Sequence, residues 1–323
     1  MENAGVTYTS SEHAGIKIEV CQYQPTDRPI EDRFSVTANE ASSRLIIGVY
    51  DGHGGAATAE HISHILPAAL LNNPPSEHAR VFKSTDESMI ANFTNDHSIL
   101  RSKSRSWVEH AQIVKSGCTA LILDVDVITK IASFANAGDC RVVVFSTSVD
   151  PNERLLQTKD LNAKTPSERE RLKREHPGED LLVVSGRLFG RLMSTRGFGD
   201  ACYKLPNGPI GNWKHRKYID ALSSIEEPNK VAMNAQYQSL FYGYRTPPYL
   251  TATPMVGTMQ LQENDVVIMA TDGLWDCVSS KEVADIVRTG VSVAAPNLLE
   301  YLLDNIRATK MPGDDVTIVL FQT

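Results

Sequence analysis

The run "RLIIGVYDGHGG", Arg44 to Gly55, restricts the possible folds more than any other part of the chain. Its apolar residues follow one another without alternation, so it reads as a strand buried on both faces. Such a strand needs structure packed on each side of it. The strand ends in Asp51. The glycines at 52, 54 and 55 then let the backbone turn sharply and approach a ligand closely. Gly52 can offer its carbonyl oxygen to a cation, and His53 sits on the same turn. A polar turn with a surface histidine is the plain alternative, because short motifs match by chance.

The design recurs. "IMATDGLWD" carries Asp272 at the end of an apolar strand, with Gly273 behind it and Asp276 four residues on. "PGDDVTIV" puts Asp314 and Asp315 just before the last strand, and "RPIEDRF" sets Glu31 and Asp32 between two strands. "NAGDCR" places Asp139 in a hairpin turn. Acidic residues beside glycine are common turn formers. Here several lie where strands end, the place where a sheet can bring them together. Clustered carboxylates repel one another and are costly to bury unless a positive charge sits among them. Oxygen donors without cysteine suit Mg²⁺ or Mn²⁺ rather than zinc. Two such ions about 3.5–4 Å apart can activate a bridging water and polarise a phosphoryl oxygen. A nearby histidine can protonate the leaving oxygen.

The other elements are mixed. "IKIEVCQYQ" alternates like a strand, and "AATAEHISHILPAALL" carries Ile62, Ile65, Leu66 and Leu70 at helical spacing. "TALILDVD" and "KIASFANAGDCRVVVFS" predict three strands, with "NAGD" as the hairpin turn between the second and third. "TPSERERLKREHP" predicts a helix with Thr165 as N-cap, Pro166 at the first position and Glu168 closing a capping box; its charges read as a solvated face. Ser279 and Glu282 give a second capping box. Residues 203–250, rich in Pro, Gly and aromatics, read as a long, partly ordered insertion. Strands and helices do not alternate as in a parallel sheet. Trp275 reads as core rather than ligand platform.

Composition closes off several classes. A net charge of −7 without a basic stripe argues against nonspecific nucleic-acid binding. The five cysteines are widely spaced with no CxxC pair, which fits a reducing compartment, buried thiols and no zinc site. No apolar run reaches the ~18 residues of a transmembrane helix. Residues 1–17 carry neither an apolar signal core nor an Arg-rich transit pattern.

The motifs "IED", "VYDGHGG", "SGCTA", "NAGDCR", "STRGFGD", "TDGLWD" and "DDVTIV", in that order from about residue 30 to 320, resemble the metal-dependent Ser/Thr protein phosphatases of type 2C. The resemblance implies an α+β fold in one catalytic domain over 1–323. Two antiparallel sheets would pack face to face in a four-layer α-β-β-α sandwich, with the metals at one edge. Carried over by position, it implies that Asp51 bridges two Mg²⁺ or Mn²⁺ ions. Asp272 and Asp314 would complete one shell, and Glu31 and the Gly52 carbonyl would hold the other. Asp139 and Asp276 match positions that bind a weaker third ion in some members. His53 would be the general acid, and Asp200 would orient water. The implied reaction is hydrolysis of phosphoserine or phosphothreonine in proteins by in-line attack of a metal-bridging hydroxide.

"LNAKTPSERERLKREHP", "RLFGRLM" and "YRTPPYLTATP" are similar to the branch that dephosphorylates pyruvate dehydrogenase. That likeness implies phosphorylated pyruvate dehydrogenase E1 as partner and the mitochondrial matrix as location. The chain also departs from the family. Many members carry a phosphate-gripping arginine four residues before the "ED" glutamate, where this chain has Asp27. Arg28 and Arg33 lie near enough to take that role, and each reads equally well as a surface arginine. Cys118 and Cys140 stand where small hydroxyl residues are common, and Asp315 where asparagine is frequent. Two rival readings remain open. One is a pseudophosphatase acting as a binding or scaffold protein, which the missing arginine favours and the intact acidic set opposes. The other is a two-metal phosphoesterase for nucleotides or nucleic acid, which the acidic charge opposes.

Overall fold

The computed structural model describes residues 5–39, 42–96, 105–147, 154–207, 213–225 and 243–323. In chain order its strands are β1 (Val6–His13), β2 (Ile16–Tyr23), β3 (Arg33–Asn39), β4 (Arg44–His53), β5 (Gly117–Asp126), β6 (Ile131–Ala137), β7 (Arg141–Ser146), β8 (Leu155–Gln157), β9 (Val183–Val184), β10 (Arg187–Leu188), β11 (Phe198–Gly199), β12 (Met255–Gln260), β13 (Asp265–Ala270) and β14 (Val316–Gln322). The helices are α1 (Ala57–Leu71), α2 (His78–Asp96), α3 (Arg105–Lys115), α4 (Pro166–Glu175), α5 (Trp213–Ser223), α6 (Asp272–Trp275), α7 (Ser280–Ser292) and α8 (Leu298–Thr309).

Two antiparallel sheets dominate. One runs β1-β2-β14-β13-β7-β8, the other β12-β6-β5-β4-β3, with β11 added against β5. The period-2 geometry of a strand explains the layers. Along β4, Ile46 and Tyr50 join a cluster with Ile62, Leu66 and Phe82 of the helical layer. Leu45, Ile47 and Val49 join a second cluster with Val142, Val267 and Phe321 of the other sheet. A third cluster packs Val143, Phe145 and Ile268 against Val283, Val287, Leu302 and Ile306 of α7 and α8. The result is helix, sheet, sheet, helix, with β4 buried on both faces as its sequence requires. Ile62, Leu66 and Leu70 of α1 are buried, whereas Ile65 is turned outward.

Two local expectations fail. The "NAGD" turn does not close a hairpin: β6 pairs with β5 and β12, while β7 pairs with β13 and β8. The link therefore crosses from one sheet to the other, with Gly138 at φ +146° against the Thr119 side chain. The second capping box forms, with the Ser279 and Glu282 side chains bonded to each other's backbone N–H. The first does not. Thr165 Oγ1 donates to the Asp160 carbonyl, and Glu168 turns inward to Arg171 and Arg196. Glu168 and Arg171 are buried, so that face of α4 is not solvated. Within 203–250 the described residues include α5, whose Tyr218, Ile219 and Leu222 are buried; residues 208–212 and 226–242 lie outside the described part.

Candidate metal centre and active site

Strand register explains why the carboxylates meet. Ala270, the last residue of β13, lies opposite Arg141 at the start of β7 and Ile318 near the start of β14. Asp272, Asp139 and Asp314 therefore all flank one end of the first sheet. In the second sheet Asp51 lies opposite Thr119 near the end of β4, and Arg33, just after Asp32, lies opposite Tyr50. Face-to-face packing then brings both sets of strand ends to one edge.

At that edge Asp51, Asp139 and Asp272 place carboxylate oxygens within 4.8 Å of one another. Asp139 is buried; the other two are partly exposed. Burial pushes the Asp51 carboxyl well above the usual range, and the charges of Asp272, Asp32, Asp139 and Asp314 push it further. Asp272 is raised to about 7, by burial and then by Asp139 and Asp276. Asp139 is also raised by burial, against a hydrogen bond of 3.0 Å from Asn162 Nδ2. Among the described residues no lysine or arginine pairs with any of the three. A site that gathers carboxylate oxygens without a lysine or arginine among the described residues fits a hard divalent ion.

The remaining acidic residues divide in two. Asp314 and Glu31 stand beside the trio, close enough for Asp314 to raise Asp51 and Asp272 and for Glu31 to act on His53. A Cβ at Gly52 would strike the Glu31 carbonyl, so Gly52 lies directly against the Glu31 backbone. Asp276, at the end of α6, is exposed and acts on Asp272 by its charge. Asp32 and Asp315 build the frame instead. Asp32 Oδ2 accepts from Thr271 Oγ1 at 2.8 Å, which ties the "ED" loop to the end of β13. Asp315 accepts from the Glu31 N–H at 2.6 Å and from the Gln24 side chain, so it holds both ends of loop 24–31. The family's frequent asparagine offers one such acceptor oxygen, whereas the aspartate offers two.

His53 follows Asp51 by two residues. Its Nε2 lies 2.6 Å from Asp200 Oδ2. Burial disfavours the imidazolium, but the Asp200 charge and hydrogen bond outweigh it and leave the histidine more basic than usual. The two candidate arginines part ways. Arg33 is committed: its guanidinium donates to Glu60 and to the Ile30 and Asp32 carbonyls. Arg28 is exposed on loop 24–31, where its backbone N–H donates to Thr26 Oγ1; among the described residues its guanidinium has no partner. Trp275 packs in the core with Nε1 donating to the Ala270 carbonyl.

Asn162 on Asp139 and Thr271 on Asp32 are partners that no motif marks. Asp200 is marked by its motif as a residue that orients water, and the structure places it on His53. For Asp200 alone a local sign exists: glycines at 197 and 199, both at positive φ, mark a backbone in close approach.

Residues 16–311 match the protein phosphatase 2C family. The chain belongs to that family. It is 30% identical over 262 residues to a protein phosphatase 2C homologue of Schizosaccharomyces pombe, covering 74% of this chain and 54% of the relative. It is 29% identical over 324 residues to human mitochondrial [pyruvate dehydrogenase [acetyl-transferring]]-phosphatase 2, covering 80% and 58%. The Saccharomyces cerevisiae mitochondrial phosphatase 1 of the same name is 26% identical, over 81% of this chain and 49% of its own. The chain thus spans roughly half to three-fifths of these relatives. A phosphatase from Toxoplasma gondii shares the fold, with a TM-score of 0.65 at 15% identity over 98% of this chain and 94% of that one. The two large antiparallel sheets with flanking helices are the architecture that the sequence motifs imply.

Proposed function

We propose that this member of the protein phosphatase 2C family is a metal-dependent protein serine/threonine phosphatase, built as one catalytic domain. The observation that carries the reading is the convergence of Asp51, Asp139 and Asp272, with no lysine or arginine paired to them among the described residues. Asp51 and Asp272, with Asp314, Glu31 and the Gly52 carbonyl, would hold two Mg²⁺ or Mn²⁺ ions, and Asp139 and Asp276 would be available to a weaker third. Such ions supply positive charge for the phosphoryl oxygens and make water a nucleophile at neutral pH. The chain supplies the rest. His53 gives its proton to the departing serine or threonine oxygen. Arg28, the exposed cation on the loop that ends at Glu31, grips the phosphate in place of the arginine that Asp27 displaces.

The test is turnover of a phosphothreonine peptide and of p-nitrophenyl phosphate with Mn²⁺ and with EDTA. Turnover that needs the metal supports the reading. No turnover and no metal binding would leave the scaffold reading. The likeness to pyruvate dehydrogenase phosphatases supports phosphorylated pyruvate dehydrogenase E1 as substrate and the mitochondrial matrix as location. Residues 203–250 are the first place to seek substrate contacts. Rates on phosphorylated E1 at least tenfold above those on a generic phosphopeptide are expected; equal rates would remove the specialised substrate.

A further inference from the structure

We infer that Asp200 is the positioning residue of His53: its carboxylate accepts the Nε2 proton and so makes Nδ1 the atom that serves the departing oxygen. The inference deepens the phosphatase reading and rests on His53 as its acid.

The contact itself sets the tautomer. Asp200 Oδ2 and His53 Nε2 are 2.6 Å apart. An ionised carboxylate can only accept, so the shared proton sits on Nε2. That leaves Nδ1 as the ring nitrogen that Asp200 does not engage.

The space for the pair is built in. A Cβ at Gly117 would fall on both the Asp200 carboxylate and His53 Nε2. Any larger residue at the start of β5 would push the two apart. Gly117 lies opposite His53 in the β4–β5 register and opposite Gly199 in the β11–β5 register, so one bare backbone position receives both segments.

Asp200 is held in a backbone conformation that residues with a side chain seldom take, φ 49° and ψ 44°. Its N–H donates to the Ser116 carbonyl at 2.8 Å. The chain just before it is clamped. Asp86 of α2 and Lys204 form a buried pair, with Lys204 Nζ 2.7 Å from each carboxylate oxygen. Asp86 Oδ1 also accepts from the Gly199 N–H at 3.0 Å, and Lys204 Nζ donates to the Gly197 carbonyl at 2.8 Å. A buried ion pair is weak evidence for stability on its own. Here both ends of the pair grip the backbone that presents Asp200.

The proton step balances simply. As the phosphorus–oxygen bond breaks, the imidazolium Nδ1–H passes its proton to the serine or threonine oxygen, which leaves as the alcohol. Nε2–H stays on Asp200, and the neutral ring regains a proton from water.

The experiment compares wild type, His53→Ala and Asp200→Asn on a phosphothreonine peptide, a poor leaving group, and on p-nitrophenyl phosphate, a good one. Two-bond ¹H–¹⁵N spectra of the histidine rings, recorded without added metal, report the tautomer of His53. Asp200→Asn should lower kcat on the peptide by roughly 10²–10³ with KM within about twofold, and lower p-nitrophenyl phosphate turnover less than about tenfold. That selective loss should match the pattern of His53→Ala. The wild-type neutral ring should carry its proton on Nε2. A wild-type ring protonated on Nδ1 alone overturns the inference even if Asp200→Asn fails to fold. So does an Asp200→Asn enzyme that loses both substrates equally, or neither, while His53→Ala remains selective. Equal loss on both substrates in His53→Ala removes the acid role itself, and the positioning role with it.

Discussion

A buried glutamate and a cluster of three aspartates in this molecule meet opposite fates. Glu168, 2% exposed on α4, accepts from Arg171, Arg196 and Thr195 Oγ1. Burial works to raise its pKa, but the hydrogen bond from Arg196 and the charge and hydrogen bond of Arg171 pull it down to about 2. Asp51, Asp139 and Asp272 gather within 4.8 Å of one another with no arginine or lysine paired to them among the described residues, and all three are pushed up. The first group carries its counterions on the chain and is complete as folded. The second lacks only a positive charge, so its geometry makes sense as one half of a complex with cations. Sequence alone gives both groups the same look, acidic residues in polar segments. Their partners distinguish them.

That contrast can be broken by substitution. The largest effect should fall on the second group: Asp51→Asn or Asp272→Asn should lower turnover of p-nitrophenyl phosphate by at least about 10³-fold while far-ultraviolet circular dichroism stays unchanged. Stability should move in opposite directions at the two places. Glu168→Gln strips one partner from the buried Arg171 and the partly buried Arg196 and should cost about 3–5 kcal/mol in urea unfolding. Asp272→Asn relieves like-charge repulsion and should stabilise the metal-free protein, by on the order of 1 kcal/mol. If both lose stability, the acidic cluster is satisfied within the chain and the contrast is false.

Acid should sharpen the same comparison. A carboxylate whose folded pKa is depressed stabilises fully above its unfolded value and loses that contribution as pH falls toward its folded value. For Glu168 the window runs from about 4.5 down to about 2. The melting-temperature gap between wild type and Glu168→Gln should be widest near pH 7 and narrow steadily below pH 4.5. A gap independent of pH would place the cost in packing rather than charge. The smallest effect concerns the uncommitted arginine. Among the described residues Arg28 has no carboxylate partner of the kind that Arg171 and Arg196 have, so Arg28→Ala should raise KM for a phosphopeptide roughly tenfold with little change in kcat or melting temperature. Unchanged KM would return Arg28 to the surface.

What could be read from the sequence was what short segments decide. β4 and its terminal Asp51 follow from one unbroken apolar run, and β13 with Asp272 from another. The Ser279–Glu282 capping box forms because both partners lie within one turn. The Thr165–Glu168 signature has the same spacing and fails, because Arg196, 28 residues away, competes for the glutamate. The "NAGD" turn looked like a hairpin because turn chemistry is local, whereas sheet membership depends on which strands stack. The histidine was visible at 53, but its partner lies 147 residues on. Arg33 looked as available as Arg28 until folding placed Glu60 beside it. The acidic residues of this edge were nameable from motifs. Which of them stand closest together, with Asp139 inside the trio, was set by the inter-sheet crossing that no local pattern records.

The central claim is that Asp51, Asp139 and Asp272 form a cation site with the cation left out of the sequence. Thermal unfolding as a function of Mn²⁺ tests it most directly, because a ligand of the folded state alone stabilises by about 2.7 kcal/mol at a hundred times its Kd. Wild type should gain stability saturably with Mn²⁺, and Asp51→Asn should lose most of that gain while remaining folded. A wild-type melting temperature that ignores Mn²⁺, or an equal gain in both proteins, would contradict the account.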